Sequence, residues 1–405
     1  MLSRVKNDLS EAAMYEDLIR KFNDFYHKPA QFLFSAPGRT ELSGNHTDHQ
    51  LGKVLAGAVN LDTTAAVALN GEPMIRMLSE GRPLFEISLD SLAVRPEETG
   101  RSAALIRGVA AGFSARGFSI PGFDAYVTSR VLPGSGLSSS AAFEVMLGTI
   151  LNHLTCARLT ALEVAQIGQY AENVYFGKPC GLLDQAASSL GGVITIDFAD
   201  EKKPRVEHLE LDLAAYGYAL CIVDSGADHA DLTDEYAAIP GELSLICAHF
   251  GKKHLREVPE EDFYAALPEL RPVAGDRAVL RAIHVYEENK RVTAQVDALK
   301  AGNFDRFLEL VKASGRSSWM YLQNVIPAGY KQHQDLAVAL ALAEKLLDGS
   351  GACRVHGGGF AGTIQAFVPF EKLDGFRAGI EAVLGEGSCH VLSIRAEGGI
   401  MLEEL

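Results

Sequence analysis

Side chains with chemical potential first cluster in residues 38–50, GRTELSGNHTDHQ. His46, Asp48 and His49 are types that ligate metal ions, and histidine and aspartate also form hydrogen bonds with small substrates. A zinc site would need a further ligand or a helix with paired histidines, and the neighbouring sequence shows neither. The segment therefore predicts a substrate-binding turn or a turn that satisfies its own polar groups, with a zinc site as the least favoured alternative.

A loop rich in glycine and serine, PGSGLSSSAAFEV in residues 133–145, is the second candidate. A strand pattern precedes it, and Ala141 and Ala142 favour a helix after it. The free N–H groups and positive end of such a helix attract anions, while the hydroxyls can reach phosphate or Mg²⁺. No GK[ST] follows, so the loop is not a Walker A motif. On these residues alone, phosphate binding and ordinary helix capping are equally open.

A third loop, HGGGFAG in residues 356–362, contains a G-x-G-x-x-G pattern. A dinucleotide-binding loop would be followed at once by a helix, whereas the next residues, TIQAFVPF, have a strand pattern. We therefore predict a tight hairpin between two strands, with backbone N–H groups available to a ligand.

Residues 171–192 contain two candidate carboxylates, and the second has apolar neighbours. Glu172 borders the buried face of a predicted helix, and Asp184 is flanked by leucines and an alanine. An idle carboxylate would avoid the apolar setting of Asp184, which favours a functional role for that residue. A place in the first turn of a helix, where carboxylates are favoured anyway, accounts for Asp184 equally well.

The composition is that of a globular protein: 405 residues, 47% hydrophobic and 22% charged, with a net charge of −15. This charge and the lack of a basic stripe argue against nucleic acid as a partner. No apolar run is long enough for a membrane span, and the charged N-terminus does not resemble a signal peptide, so we expect no membrane association. The six scattered cysteines predict reduced thiols in a cytoplasmic protein.

The elements that would position these residues form an α+β pattern without regular βαβ alternation. Helical periodicity predicts a first helix over residues 9–26, and strand patterns flank the 38–50 segment on both sides. Strand signals on either side of residues 200–215 place a domain boundary in that connection. We therefore predict an N-terminal domain of residues 1–205 and a helix-richer C-terminal domain of residues 206–405.

Taken together and in this order, APGRTELSGNHTDHQLGKVL, PGSGLSSSAA, CGLLDQ and HGGGFAG resemble the motifs of galactokinases, members of the GHMP small-molecule kinase superfamily. The motifs span residues 36–362, so the resemblance covers most of the chain. It implies two α+β domains with the active site in the cleft between them. The first would resemble ribosomal protein S5 domain 2, and the second would be the GHMP C-terminal domain. It also implies transfer of the γ-phosphoryl group of ATP, with Mg²⁺, to the C1 hydroxyl of galactose, the first committed step of galactose utilisation. We expect a monomer.

The resemblance also implies a role for individual residues. Asp184 matches the catalytic base and Arg39 the cation beside it, and either proton acceptance or orientation of the hydroxyl suits Asp184. Ser140 and Glu172 match the positions that hold Mg²⁺. The sugar-contacting positions are matched by Asn45, His46, Asp48, Gly181, Asp184 and Tyr236. The phosphate-binding residues would be Gly134, Ser135, Gly136, Leu137, Ser138, Ser139 and Ser140, with Gly358 and Gly359 of the hairpin.

The chain departs from the family pattern at positions near the sugar and at positions near the adenine. Asn45 stands where the family has a glutamate that contacts the sugar, Glu41 replaces an asparagine, and His49 replaces a tyrosine. Ser102 and Leu105 stand where many relatives carry aromatic residues near adenine. Loss of a carboxylate acceptor could retune the recognition of one sugar hydroxyl.

Two other functions are compatible with these departures. One is a GHMP kinase for a related sugar, such as galacturonate, arabinose or N-acetylgalactosamine, although no added cation for an acidic sugar is visible. The other is a non-catalytic sugar sensor on the same fold. A sensor would not need the whole set of Arg39, Ser138–Ser140, Glu172 and Asp184, so the intact set favours a kinase.

Overall fold

The computed structural model describes residues 2–131, 134, 136–227 and 232–405. Among the predicted site residues, Ser135 lies outside this described part. The strands are β1 (Phe32–Ser43), β2 (Lys53–Leu69), β3 (Met74–Ser79), β4 (Leu84–Ser88), β5 (Phe123–Ser129), β6 (Val193–Asp197), β7 (Arg205–Leu209), β8 (Tyr218–Asp224), β9 (Ala352–Val355), β10 (Thr363–Pro369), β11 (Cys389–Leu392) and β12 (Ile400–Glu404).

The α-helices alternate irregularly with these strands. They are α1 (Leu2–Tyr26), α2 (Ser102–Ser114), α3 (Ser139–Leu154), α4 (Ala161–Tyr170), α5 (Leu183–Leu190), α6 (Thr233–His249), α7 (Glu260–Ala265), α8 (Leu267–Ala274), α9 (Asp276–Lys300), α10 (Phe304–Ser317), α11 (Asp335–Leu347) and α12 (Leu373–Leu384). Two π-helical turns, Ala171–Phe176 and Ser318–Leu322, extend α4 and α10. None of the helices in the described part of the chain is long and apolar enough to span a bilayer.

The strands form two sheets. The larger sheet has the order β12-β1-β2-β5-β3-β4, with β6 beside β2 and β7 beside β6, and the smaller has the order β11-β8-β10-β9. Side chains of β1 and β2 alternate between two faces, as the two-residue repeat of a strand requires. Phe34 and Val67 pack with the core under α2 and α3, whereas Leu33 and Ala66 pack against α1.

A shared core joins the two sheets. It includes Leu42 and Leu55 of the larger sheet, Ile222 and Phe367 of the smaller sheet, and Phe307 of α10. Because buried side chains from both halves of the chain pack together there, the two sheets are held in a fixed relation to each other.

The predicted hairpin at HGGGFAG is confirmed, since β9 and β10 pair antiparallel on either side of it. The first helix is longer than predicted, and strands β3, β4, β7 and β12 were not predicted. Strand β12 pairs with β1, so the end of the chain returns to the larger sheet, and β7 pairs with β6 in that same sheet. The domain division after residue 205 stays a prediction.

Candidate active site

Three neighbouring cavities combine most of the predicted residues. The turn cavity, about 420 Å³, is lined by His46, Asp48, Gly181 and Tyr236 among others. The central cavity, about 500 Å³, is lined by Arg39, Gly134, Gly136, Ser138, Ser139, Ser140, Asp184, Tyr236, Gly358 and Gly359 among others. The aromatic cavity, about 540 Å³, is lined by Ser102, Leu105, Phe143, Phe176, Ser139 and Ser140 among others. Tyr236 lines both the turn cavity and the central cavity. Ser139 and Ser140 line both the central cavity and the aromatic cavity, so the three cavities adjoin one another.

An ion pair lies in the central cavity, next to Tyr236 and the turn cavity. Arg39 Nε donates to Asp184 Oδ1 at 2.7 Å, and its guanidinium also donates to the Gly136 carbonyl. The register of β1 against β2 shifts between Pro37 and Arg39, and such a bulge re-aims a strand side chain. Arg39 is 7% exposed, so its charge acts in a largely desolvated position.

Asp184 is held in its ionised form. Burial alone would raise the pKa of its carboxyl, but Arg39 and the Ser138 hydroxyl, which donates to Oδ2, keep that pKa below its ordinary value. The side chain is still 35% exposed to the cavity. A carboxylate that is charged at neutral pH and open to the cavity can accept a proton from a bound hydroxyl.

The serine loop and the glycine hairpin face each other across the central cavity. Ser138 has a left-handed backbone, with φ of 56°, immediately before α3 begins at Ser139. The free N–H groups and the positive end of this 16-residue helix are therefore presented to the cavity. Gly136 must lack a side chain, because a Cβ there would lie 2.7 Å from Thr363 Oγ1 of the hairpin.

A buried histidine fixes the hairpin against β1. The Glu41 N–H donates to His356 Nε2 at 3.2 Å, which leaves Nδ1 as the donor to Thr363 Oγ1 at 3.0 Å. Burial, together with Arg39, lowers the pKa of His356 well below its ordinary value. The ring therefore stays neutral and keeps one tautomer.

The Leu137 side chain is fully buried and does not line the central cavity. Its carbonyl accepts from the Arg39 N–H at 3.0 Å. Leu137 therefore supports the position of Arg39 from behind, and a direct phosphate contact by its backbone stays a prediction.

Glu172 lies directly behind the serine loop, on the first π-helical turn. Its Oε1 is 3.4 Å from Ser140 Oγ and 3.5 Å from Lys178 Nζ. Burial would disfavour the Lys178 ammonium, but Glu172 and Asp184 more than offset this and raise its pKa. Lys178 also lines the central cavity, where its charge can meet an anion.

Polar and aromatic groups surround the turn cavity. His46 Nε2 lies 3.0 Å from the Gly358 carbonyl, and the Tyr236 hydroxyl donates to the Gly359 carbonyl at 2.8 Å. Gly181 packs directly on Asp48, because a Cβ at residue 181 would lie 2.0 Å from Asp48 Oδ2. Glycine at 181 therefore makes room for the Asp48 carboxylate.

Asn45 lies apart from all three cavities. Its side chain is fully buried and donates to Glu41 Oε1 and the Gly357 carbonyl, while its Oδ1 accepts from Asn324 Nδ2 at 2.8 Å. His284 Nε2 lies 2.9 Å from its backbone carbonyl. Every polar atom of the Asn45 amide therefore has a protein partner, and we assign it no direct contact with a ligand.

His49 is partly buried beside Gln50 and lies in the turn with His46 and Asp48. Burial lowers the pKa of His49 to about 3, and its Nδ1 lies 3.1 Å from Gln50 Nε2. Within the described residues, no three histidine, cysteine or acidic side chains are arranged to hold a metal ion. The zinc alternative for His46, Asp48 and His49 therefore has no support.

Several lining residues were missed by the sequence analysis. Lys178 follows the predicted Glu172 by six residues, but its direction depends on the π-helical turn and could not be read from a helical period. Phe143 and Phe176 supply the aromatic surface of the third cavity, beside Ser102 and Leu105. Glu201 lines the turn cavity from a polar connection that carries no motif.

Comparison with known proteins identifies the class of this fold and site. The family model for the GHMP kinases N terminal domain matches residues 104–192, and the galactokinase galactose-binding signature matches residues 20–69. A mevalonate kinase from Methanococcus jannaschii shares the fold, with a TM-score of 0.64 at 13% identity over 90% of this chain and 98% of its own. The chain therefore has the GHMP kinase fold.

Closer relatives narrow the class to one family. The chain is 31% identical over 363 residues to galactokinases of Actinobacillus pleuropneumoniae and Streptomyces coelicolor, which covers 88% and 89% of this chain and 90% of each relative. The crystal structure of Lactococcus lactis galactokinase complexed with galactose superposes with a TM-score of 0.81 at 27% identity, over 97% of this chain and all of that one. This chain belongs to the galactokinase family.

Proposed function

We propose that the protein is a galactokinase, which transfers the γ-phosphoryl group of ATP to the anomeric C1 hydroxyl of galactose and yields galactose 1-phosphate and ADP. The observation that carries this proposal is the Arg39–Asp184 pair in the central cavity, beside the turn cavity, with the start of α3 facing that same cavity. In this assignment the sugar occupies the turn cavity, the phosphates of ATP occupy the central cavity, and the adenine of ATP occupies the aromatic cavity.

The chemistry follows from these positions. The C1 oxygen of the sugar forms a bond to the γ-phosphorus as the bond to the β,γ-bridging oxygen breaks, and the hydroxyl proton passes to Asp184. Phosphoryl transfer depends mainly on alignment and charge neutralisation. Arg39 neutralises charge on the transferring group, and the N–H groups at the start of α3 and the Lys178 ammonium hold the phosphates.

The donor set fits Mg²⁺, which prefers oxygen ligands and keeps several of its waters. Ser140 Oγ and Glu172 Oε1 are two such oxygen donors that lie 3.4 Å apart, and these residues would hold the ion. When bound, Mg²⁺ would neutralise phosphate charge near the serine loop.

Sugar recognition is assigned to residues that reach the turn cavity. His46, Asp48, Gly181, Tyr236 and Asp184 are retained as sugar-binding residues, whereas the buried Asn45 acts on the shape of the turn. The asparagine that replaces the family glutamate at residue 45 therefore affects the residues that hold the turn in place. It does not put an uncharged side chain on the surface of the turn cavity.

The direct test is an ADP-release assay with MgATP and a panel of galactose, N-acetylgalactosamine, galacturonate, arabinose and glucose. We expect galactose to give the highest kcat/KM. Turnover of another sugar in preference to galactose would reassign the substrate. If calorimetry shows sugar binding but no member of the panel is turned over, the protein is a sugar sensor and not a kinase.

We also propose a cytoplasmic location and a monomeric state. All six cysteines are free thiols, as reducing conditions would maintain them. Light scattering of the purified chain during size-exclusion chromatography tests the monomer, and a mass near 87 kDa, roughly twice the 43.5 kDa of the chain, would contradict it.

A further inference from the structure

Gln185, the residue after the proposed base, bridges two buried glutamates. Its Nε2 donates to Glu172 Oε2 at 2.7 Å and to Glu144 Oε2 at 2.9 Å. Gln185 and Glu144 are fully buried, and Glu172 is 3% exposed. A primary amide carries two N–H donors, so one side chain can serve both carboxyl groups at the same time.

This bridge fixes the orientation of the Glu172 carboxylate. Oε2 accepts from Gln185 and from the Cys180 thiol, the latter at 3.3 Å. Oε1 is then the oxygen directed at Ser140 and Lys178. Without the amide donor, Oε2 would keep only the weaker thiol donor of Cys180 on the buried side.

Glu144 in turn anchors the amide. It lies four residues after Ser140 on α3, and residues at that spacing share one face of a helix. The bridge thus ties the helix that begins with the serine loop to α5, which carries Asp184. Gly168 leaves space for it, because a Cβ there would lie 3.2 Å from both Gln185 Cγ and Glu144 Cβ.

Stability alone does not account for this arrangement. Glu144 Oε1 and Gln185 Oε1 are buried and have no hydrogen-bond partner among the described residues. Buried polar atoms without partners cost folding free energy. A bridge that carries this cost is better explained by the direction it gives to Glu172 Oε1, which lies 3.4 Å from Ser140 Oγ.

We propose that Gln185, anchored by Glu144, is a positioning residue that directs Glu172 Oε1 to the divalent-ion site and so sets the affinity for the ion bound with the nucleotide. This inference rests on the proposed function, since the role of Glu172 as a metal ligand is part of it. Partners that orient a metal ligand typically change metal affinity by about 10- to 100-fold when they are removed.

The test uses Mn²⁺ as a paramagnetic substitute for Mg²⁺ and counts free Mn²⁺ by electron paramagnetic resonance, with the full-length protein and ADP present. Gln185→Met keeps the length of the side chain and removes the donor. We expect it to weaken Mn²⁺ binding about tenfold or more, with a matching rise in the Mg²⁺ concentration needed for turnover. The KM for galactose should change much less, because Gln185 itself does not line the turn cavity.

A pair of variants at Glu144 separates positioning from general damage to the core. Glu144→Gln retains an oxygen that accepts from Gln185 Nε2, and should bind Mn²⁺ more like the unmodified protein. Glu144→Leu removes the acceptor and should resemble Gln185→Met. Equal Mn²⁺ affinity in the two Glu144 variants would overturn the inference, even if Gln185→Met did not fold.

Glu172→Gln distinguishes failure of the inference from failure of the proposed function. If Glu172→Gln leaves Mn²⁺ binding unchanged, the metal site itself is wrongly assigned. If it weakens Mn²⁺ binding while Gln185→Met does not, the metal site stands and the positioning role of Gln185 is refuted.

Discussion

Replacement of Asp184 by asparagine removes one negative charge from the central cavity and keeps the shape of the side chain. The remaining Oδ1 can still accept from Arg39 Nε, which lies 2.7 Å away in the native protein. The new amide nitrogen would face the Ser138 hydroxyl, which can accept a hydrogen bond as readily as it donates one. The substitution therefore removes the proton acceptor with little change in the geometry around it.

The expected loss follows from the role of a general base. A positioned base contributes about 10²- to 10⁴-fold to the rate, which corresponds to about 3–5 kcal/mol of the activation barrier. We expect kcat of Asp184→Asn to fall by this factor. Binding of MgATP should change little, because the serine loop, Lys178 and the proposed metal ligands remain in place.

The assay is steady-state ADP release at saturating galactose, combined with calorimetric titration of an ATP analogue. Asp276→Asn is the matched control: Asp276 Oδ1 also lies 2.7 Å from an arginine Nε, that of Arg271, but both side chains are more than 60% exposed. It removes the same charge from the same type of ion pair at a residue that lines none of the three cavities, and should leave kcat unchanged.

A result near the native rate would refute the reasoning. If kcat of Asp184→Asn falls by less than about tenfold, a neutral side chain of the same shape is sufficient. Asp184 would then orient the sugar hydroxyl without accepting its proton, and the ionised state held by Arg39 would have no catalytic purpose.

Three further predictions follow from the same contacts. Gly181→Ala should raise the KM for galactose without an equal loss of ATP binding, because the new Cβ would displace Asp48. The control is Gly241→Ala, which should leave the KM for galactose unchanged because a Cβ there meets nothing within 4 Å. Lys178→Gln should raise the KM for ATP by about tenfold, the worth of one charge-assisted hydrogen bond, with the KM for galactose as the internal control. Burial lowers the pKa of His284 to about 4, so the unfolded chain takes up the proton first as pH falls, and the free energy of unfolding should decline between about pH 6.5 and 4. Denaturant titration across that range should give a shallower decline for His284→Gln, and an unchanged slope would contradict the neutral buried state.

The residue types and their order along the chain already indicated much of the site. The hairpin at HGGGFAG could be predicted because glycines between two strand patterns leave little alternative, and β9 and β10 confirm it. The serine loop could be placed before a helix because alanines follow it. Both are local properties of the backbone, which neighbouring residues determine.

Other elements depend on contacts that a single stretch of sequence does not contain. The short edge strand β12 has too few residues for a clear alternating pattern, and it forms by pairing with β1 at the other end of the chain. The π-helical turn that carries Glu172 was predicted as ordinary helix, because the residue types of the two conformations are alike.

Asn45 shows the same division at the level of one side chain. The resemblance to galactokinases implied a sugar contact for it, and it directly precedes His46, which lines the turn cavity. Its partners, among them Asn324 and the Gly357 carbonyl, come from the opposite half of the chain and turn it inward. The sequence alone therefore could not predict that the Asn45 side chain is buried with a hydrogen-bond partner for each polar atom of its amide.

The sequence by itself determined which chemical groups are available: an arginine, a carboxylate, a serine loop before a helix and a glycine hairpin, in an order that resembles one family. Only the tertiary structure decided which of these groups meet. Arg39 and Asp184 are 145 residues apart in the chain and 2.7 Å apart in the folded protein. The physical reason is that local sequence sets backbone conformation, whereas the packing of two sheets on a shared core sets the distances between side chains on which charge, hydrogen bonding and catalysis depend.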